Sequence, residues 1–586
     1  MKLFSKKTKR ALDDLQENVG EASVSVWRHF VRHFIKSIRG LHLVRLQVVV
    51  WFLLLAVLLG AGSLQLTWSR AGFQTNAFVP GGTFAEATLG EIRTTIPWFA
   101  TTNSERTIAR LIYSTLLFYD DSGNIRGDVA SGWTSNDSAN IWTVTLREGI
   151  YFHDGHPLTA DDVVFTIQMI QDPEVRAIGA SGWAGTEVAK IDDYTVEFTL
   201  RSGTAAFPEH LIFEILPKHA LDQAPKTNLL EAAFNGNPIG SGPFTFSSIQ
   251  RTAGTADAIV HLSANPRYHR GAPFLNSFLI HAFTSHGDIQ NAIYQGRVTA
   301  TAELGHPHVT DLPNRLHIRQ APLNEGVFAF FNTAQAPLNN RDIRRALAYM
   351  TNKSLIIQAT SAQITLGYPI LPTQMALDFP EVPTYDLFAA EEYLENAGFA
   401  RDRLWYSSAS EDPLTVTMVT LDEGGLSAAA TDLARQWESF GVTVDLHIYT
   451  DSQAFTRDRL IPRLYDVLIY NIAMGSDPDM QPFYHSSQGN GVGLNFSNFN
   501  NPTVDSILAS ANATTNLITR RDRYNDFLRV WATELPSIGL YRSSLFYVVN
   551  PNVRTFPDHT TFVTRWNRFN NIPQFAVNTE PRLRTP

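Results

Sequence analysis

A run of apolar residues from Leu46 to Leu66 divides this chain more sharply than any other feature of its sequence. Val48–Leu59 is twelve apolar residues without a break, and the wider stretch is interrupted only by Gln47, Gly60, Gly62, Ser63 and Gln65. As a helix its 21 residues extend about 31 Å, the thickness of a bilayer's hydrocarbon core. Arg45 and Arg70 flank it, and Trp51 and Trp68 lie towards its ends, where indoles favour the headgroup region. One transmembrane helix over residues 46–68 is therefore expected. The charge changes sign across it. Residues 1–45 carry ten Lys/Arg and four acids, or +6; with −9 for the whole chain, the other 541 residues hold −15. The positive-inside rule places the basic tail in the cytoplasm and the main domain outside the membrane. A cleaved signal peptide cut near Ala61-Gly62-Ser63 is the rival reading, and it needs a leading segment of about 45 residues, far beyond the usual form.

Within the tail, Trp27, Phe30, Val31, Phe34, Ile35 and Ile38 recur at helical spacing, with Arg28, Arg32, Lys36 and Arg39 outside that stripe. Two readings stand: a helix packed on a cytoplasmic partner, or one lying in the plane of the anionic inner leaflet. The chain has no cysteine, which excludes disulfides, thiolate metal sites, cysteine nucleophiles and a lipidated N-terminal cysteine. The acidic body is the wrong sign for nucleic acid, so no such partner is expected.

Beyond a short linker at 69–80, a helix capped by Asn103 or Ser104 is expected to bury Ile108, Leu111, Ile112, Thr115 and Leu116. Ile141–Arg147 and Tyr194–Leu200 alternate as half-buried strands, and Thr159 with Asp161 and Asp162 opens a helix through Met169. In the second half, helices Arg341–Tyr349, Leu387–Ala397 and Ala428–Phe440 alternate with strands Leu414–Thr420, Val442–Ile448 and Asp466–Ile472. A β-rich first half followed by a βαβ rhythm indicates two different lobes.

Gly132–Ile167 (GWTSNDSANIWTVTLREGIYFHDGHPLTADDVVFTI) resembles the signature region of the extracellular solute-binding proteins of the oligopeptide/dipeptide/nickel class, family 5, which feed ABC importers. Ile108–Asp120, DDYTVEFTL (192–200), LPKH (216–219), PIGSGPFTF (238–246), NPRYHRGAPFL (265–275), PLNNRDIRRALA (337–348), YDLFAAEEYLENAGF (385–399) and LPSIGLY (535–541) follow in the same order. The resemblance implies an α/β, two-lobed periplasmic-binding-protein-like fold of type II, the large peptide-binding class. Lobe I would span 81–315, with a β-rich subdomain at about 121–235; lobe II would span 316–535, and 536–586 would return to lobe I. It also implies a short peptide ligand and ABC permease and ATPase partners; attachment to the lipid bilayer through Leu46–Leu66 is expected from the apolar run itself. The alternatives are another solute, such as a nickel chelate or an oligosaccharide, and a ligand-sensing receptor with a cytoplasmic partner.

The residues themselves offer little catalytic chemistry. There is no P-loop, Rossmann glycine pattern, nucleophile elbow or H-E-x-x-H, so no enzyme and no cofactor is expected. His153 and His156 bracket Asp154 in what reads as a structural turn, and His281, His286, His306 and His308 lack a carboxylate at ligand spacing, so no metal is expected. Asp161 and Asp162 read as helix N-terminal charges. The loop Gly475-Ser476-Asp477-Pro478-Asp479 follows a strand at the C-terminal edge of an open sheet, where ligands commonly bind. In peptide-binding relatives a carboxylate here pairs with the ligand's α-amino group, which the resemblance carries to Asp477 or Asp479; the plain alternative is that Asp477 shapes the turn at Pro478. Ser476 belongs to the same loop. Met474 is a candidate pocket residue, Tyr541 resembles a cleft tyrosine, and Asn103 completes the candidate ligand set.

Overall fold

Ten strands form one sheet that runs through the whole of residues 78–578. In spatial order they are Thr443–Tyr449, Thr415–Leu421, Val467–Ala473, His317–Phe331, Ser537–Val549, Ala300–Thr301, Thr83–Leu89, Ser277–Phe283, Ala258–Ala264 and Phe244–Arg251. This computed structural model describes residues 45–72, 74–309, 312–489 and 491–583, the side chains of 45, 48, 66–72, 74–76, 306–307 and 581–583 excepted. The amphipathic stretch Trp27–Ile38 lies outside the described residues.

The order of the strands explains why the two halves of the sequence read differently. At one end, Thr415–Leu421 pairs in parallel with both Thr443–Tyr449 and Val467–Ala473, as crossover helices require. At the other end, Phe244–Arg251, Ala258–Ala264 and Ser277–Phe283 are successive antiparallel strands. A separate four-stranded sheet (130–135, 141–146, 195–199, 187–192) forms the β-rich subdomain. Most expected elements appear within a residue or two: Ile141–Leu146, Thr195–Thr199, Ala160–Gln171, Arg341–Tyr349, Leu387–Asn396, Leu426–Ser439, Thr415–Leu421, Thr443–Tyr449 and Val467–Ala473.

Two large cores make the two lobes, and a third, smaller one contains Ala87, Ile289, Ile293 and Val548. Ile108, Leu111, Ile112, Trp142, Phe198 and Phe207 belong to the first, and Val327, Phe330, Trp437, Leu468, Trp531 and Tyr541 to the second. Among the described elements, only His317–Phe331 and Ser537–Val549 run through both large cores. They pair over 317–322 with 544–549 and over 326–330 with 537–542, and the register breaks between Pro322 and Gly326 and again between Val327 and Phe328. Leu323 and Leu545 still pack in the first core, whereas Val327 and Tyr541 pack in the second, so the first break in register marks the passage between the cores.

Local chemistry corrects several details. The helix Asn103–Ile112 is capped by Thr102 in a capping box with Glu105, not by Asn103 or Ser104, and Thr115 and Leu116 lie beyond its end. Asp162 completes the box at Thr159, while Asp161 pairs with Lys190 at 2.6 Å. Gly240 and Gly242 are needed for close approach: a Cβ at Gly240 would lie 2.1 Å from the carbonyl oxygen of Ile112. His153 buttresses that turn, its Nδ1 accepting from Gly240 N–H at 3.2 Å while Nε2 meets Gly242 O at 3.1 Å. Burial lowers its pKa to about 4.

Among the described residues, the other unit, Met1–Ala77 with Thr579–Pro586, has a 28-residue helix, Arg45–Gly72. Its described apolar side chains are exposed, from Val50 at 46% to Leu46 at 82%. Among the described residues no helix is long and apolar enough to cross a membrane. The transmembrane helix expected over 46–68 is thus not supported by the described residues. Part of the expected linker is ordered instead: Gln74–Val79 is a strand paired with Asn578–Leu583.

Candidate functional site

The lobes meet at a cavity of about 520 Å³, within the range of small-molecule sites. Asn124, Trp133 and Glu209 line it from the first lobe, and Gln374, Asp477 and Arg520 from the second. Glu209 sits in a short helix, Phe207–His210, whose Phe207 is anchored in the first core. Its carboxylate crosses to the second lobe, where Oε1 accepts hydrogen bonds from Ser476 N–H (2.6 Å), Ser476 Oγ (2.7 Å) and Asp477 N–H (2.8 Å). Burial pushes the Glu209 carboxyl above the usual range, against the pull of these donors.

The loop can receive a carboxylate because of Gly475. Its φ is +63°, and a Cβ there would lie 2.5 Å from Glu209 Oε2. Successive N–H groups after such a residue converge on one point and make a concave anion site. Nearby, Ala205 N–H donates across the cleft to Asn512 O at 2.9 Å. Closer to the break in register, Gln363 Nε2 donates to Gln320 Oε1 at 2.7 Å.

The two acids singled out in the sequence are already engaged. Asp477 forms a forked pair with Arg520, Oδ1 to Nη2 at 2.6 Å and Oδ2 to Nη1 at 2.7 Å, and both side chains are largely buried. A ligand ammonium would have to compete with that guanidinium. Asp479 accepts from Gln481 N–H at 2.9 Å and Asn512 Nδ2 at 2.8 Å, so it forms the turn before helix Gln481–Tyr484; burial raises its pKa. Ser476 faces Glu209, as described. Met474 is packed in the second core rather than along the cavity.

Tyr541 and Asn103 lie elsewhere in the cleft-forming lobes. The Tyr541 hydroxyl is buried without a hydrogen-bond partner and faces Gly425, 3.5 Å from where a Cβ would stand. Asn103 donates to Glu303 Oε2 at 2.7 Å, and Glu303 also lies 3.4 Å from Arg565. Glu325, at the broken register, accepts from Asn471 Nδ2 at 2.9 Å, and burial holds its carboxyl above the usual range. Sequence reasoning missed Glu209, Arg520, Glu325 and Asn471. Glu209 stands 267 residues before Ser476, and no local pattern reports a pairing at that separation.

The model of the bacterial extracellular solute-binding proteins, family 5, matches residues 124–493. The chain belongs to this family. The family 5 protein is 24% identical over 499 residues to the oligopeptide-binding protein AppA of Bacillus subtilis, covering 82% of this chain and 89% of that relative. It is 26% identical over 491 residues to Heme-binding protein A of Haemophilus influenzae, covering 76% and 84%. Among solved structures, B. subtilis AppA in complex with a nonapeptide superposes with a TM-score of 0.68 at 23% identity, covering 86% of this chain and 100% of that one. NikZ of Campylobacter jejuni in complex with Ni(L-His) gives 0.67 at 21%, covering 84% and 99%. These likenesses show the two-lobed α/β fold. The relatives' ligands range from a nonapeptide to a nickel–histidine complex, so family membership alone names no ligand here.

Proposed function

We propose that this family 5 protein is a membrane-tethered receptor that captures short peptides between its lobes and presents the closed form to an ABC permease. The observation that carries the reading is the Glu209 carboxylate of one lobe seated in the 475–477 loop of the other, beside a ligand-sized cavity. Closure of this kind buries a ligand on all sides, and main-chain groups then hold a peptide irrespective of its side chains. Of the sequence-derived set, Ser476 and Asp477 line this cavity and are the proposed contacts; Tyr541, with its unpartnered hydroxyl, and Asn103 lie outside its lining, and Asp479 shapes the loop.

The full chain in detergent is screened by thermal shift against defined peptide mixtures, and retained peptides are identified by mass spectrometry. A ligand at 100 times its dissociation constant adds about 2.7 kcal/mol of stability. Peptides recovered intact support the proposal; no shift and no retained peptide, or peptides recovered cleaved, defeat it.

The tether rests on Leu46–Leu66. Its exposed Leu, Val and Phe side chains would each gain about 1.5–3 kcal/mol on leaving water. Protease added to intact cells is expected to digest the main domain and spare residues 1–45. A mature protein beginning near Ser63 would instead establish a cleaved leader.

A further inference from the structure

Asp154, His156 and His219 converge on the first lobe, away from the inter-lobe cavity, none of the three being among its lining residues. His156 Nδ1 lies 3.1 Å and His219 Nε2 2.7 Å from the same oxygen, Asp154 Oδ2. The three ligand atoms all lie within 4.8 Å of one another, and among the described residues no other group of three His, Cys, Asp or Glu does so.

Each residue is held in place by its surroundings. Asp154 is fixed by the tight turn at Gly155, φ +96°, and its other oxygen accepts from His156 N–H at 3.1 Å. The His219 ring packs edge-on against the buried Phe152 at 5.6 Å, and the His156 ring stacks on His219 at 4.0 Å. One side of the cluster remains open, the His156 side chain being 59% exposed.

We propose that these three residues form a surface site for one borderline divalent cation, of the class of Zn²⁺ and Ni²⁺. Two imidazoles and a carboxylate are the donor set that such ions select over Mg²⁺ or Ca²⁺, which take oxygen ligands. Around a tetrahedral ion with bonds of about 2.0–2.1 Å, donor atoms stand about 3.3 Å apart. The two contacts to Asp154 are within about 0.6 Å of that spacing, and the two imidazole nitrogens lie within 4.8 Å of each other, so ring rotation is what brings the three donors to one ion. On binding, any hydrogen on His156 Nδ1 or His219 Nε2 passes to the ring's other nitrogen or to solvent, and the freed lone pair goes to the metal. Water completes the coordination. The ion would staple the turn 152–155 to the helix Lys218–Leu221.

The test is calorimetric titration of the full chain with ZnCl₂ and NiCl₂, with MgCl₂ and CaCl₂ alongside, for the wild type, His156→Ala and His219→Gln. His29, His33 and His42 give a background that both variants retain, so the assignment rests on the difference. The expected result is one saturable Zn²⁺ site in the wild type, weakened at least tenfold in each variant, with no heat from Mg²⁺ or Ca²⁺. His156→Ala removes a largely exposed ring, and an unchanged circular dichroism spectrum shows that the fold survives. Equal Zn²⁺ binding by wild type and His156→Ala, or no saturable binding at all, overturns the proposal and leaves the cluster as a hydrogen-bonded clasp.

Discussion

Replacing Glu209 by alanine is expected to open the lobes. The wild-type carboxylate accepts three hydrogen bonds from the opposite lobe, at 2.6, 2.7 and 2.8 Å. Bonds to a charged group contribute about 1.5–3 kcal/mol each when they form in place of water contacts. The summed upper figure is not reached, because the alanine variant lets water from the cavity reach the freed N–H groups of Ser476 and Asp477, and because raising the Glu209 pKa by burial already opposes the charge. A loss of about 2–4 kcal/mol in favour of the open form remains, a shift of roughly 30- to 1,000-fold in the ratio of closed to open molecules. Glu209→Gln keeps the shape and one acceptor but not the charge, and should give about half the effect in free energy. The chain has no native cysteine, so a single cysteine placed on each lobe, at Asp137 and Ser408, takes spin labels without competing sites. Distance distributions by pulsed electron resonance then report the populations directly. A Glu209→Ala distribution that coincides with that of the wild type would refute the argument, since three short charged contacts cannot be lost silently if they hold the lobes together.

Gly475→Ala should shift the same distribution in the same direction with Glu209 intact, because its Cβ would stand 2.5 Å from Oε2; the φ of +63° adds about 1 kcal/mol of backbone strain, read as a lower unfolding midpoint. Asp477→Asn strands the largely buried Arg520 and should destabilise the chain by about 3 kcal/mol in urea unfolding, while a double-mutant cycle with Arg520→Met should recover part of that loss. His153 has a folded-state pKa of about 4 against about 6.5 unfolded, so the folded state resists protonation. Its contribution is complete above pH 6.5 and is lost as pH falls through 4, about 3 kcal/mol at the extreme. His153→Asn should flatten the decline of the melting temperature across that window.

Much of the fold was legible because its signals are local. The alternation in Ile141–Leu146 and the apolar spacing in Leu426–Ser439 record which side chains face a core, and a capping box needs only four residues. The site was harder to read. The 475–479 loop was rightly placed after a second-lobe strand, but the partners of its acids lie 43 residues ahead in Arg520 and 33 ahead in Asn512. Both acids are therefore satisfied by the protein's own groups. Met474 misled for a related reason: flexibility makes methionine a good pocket lining and an equally good filler beside Gly326, and its burial is decided by strands far away in sequence. Thr102 outcompeted Asn103 as a cap because Glu105 sits three residues beyond it and completes the reciprocal bonds.

The passage of His317–Phe331 and Ser537–Val549 through both cores has a consequence for cooperativity. If one lobe melted alone, each strand would keep half of its ladder and expose the edge of the rest, an arrangement prone to pair with other chains. The melted half would also leave the apolar surface of the other core uncovered at Leu323, Val327, Tyr541 and Leu545. Each lobe's stability is thus partly on loan from its neighbour. A damaging substitution in the first core should lower the melting temperature of the second, and heat should unfold the lobes in one transition, so that partly folded receptor is rarely populated.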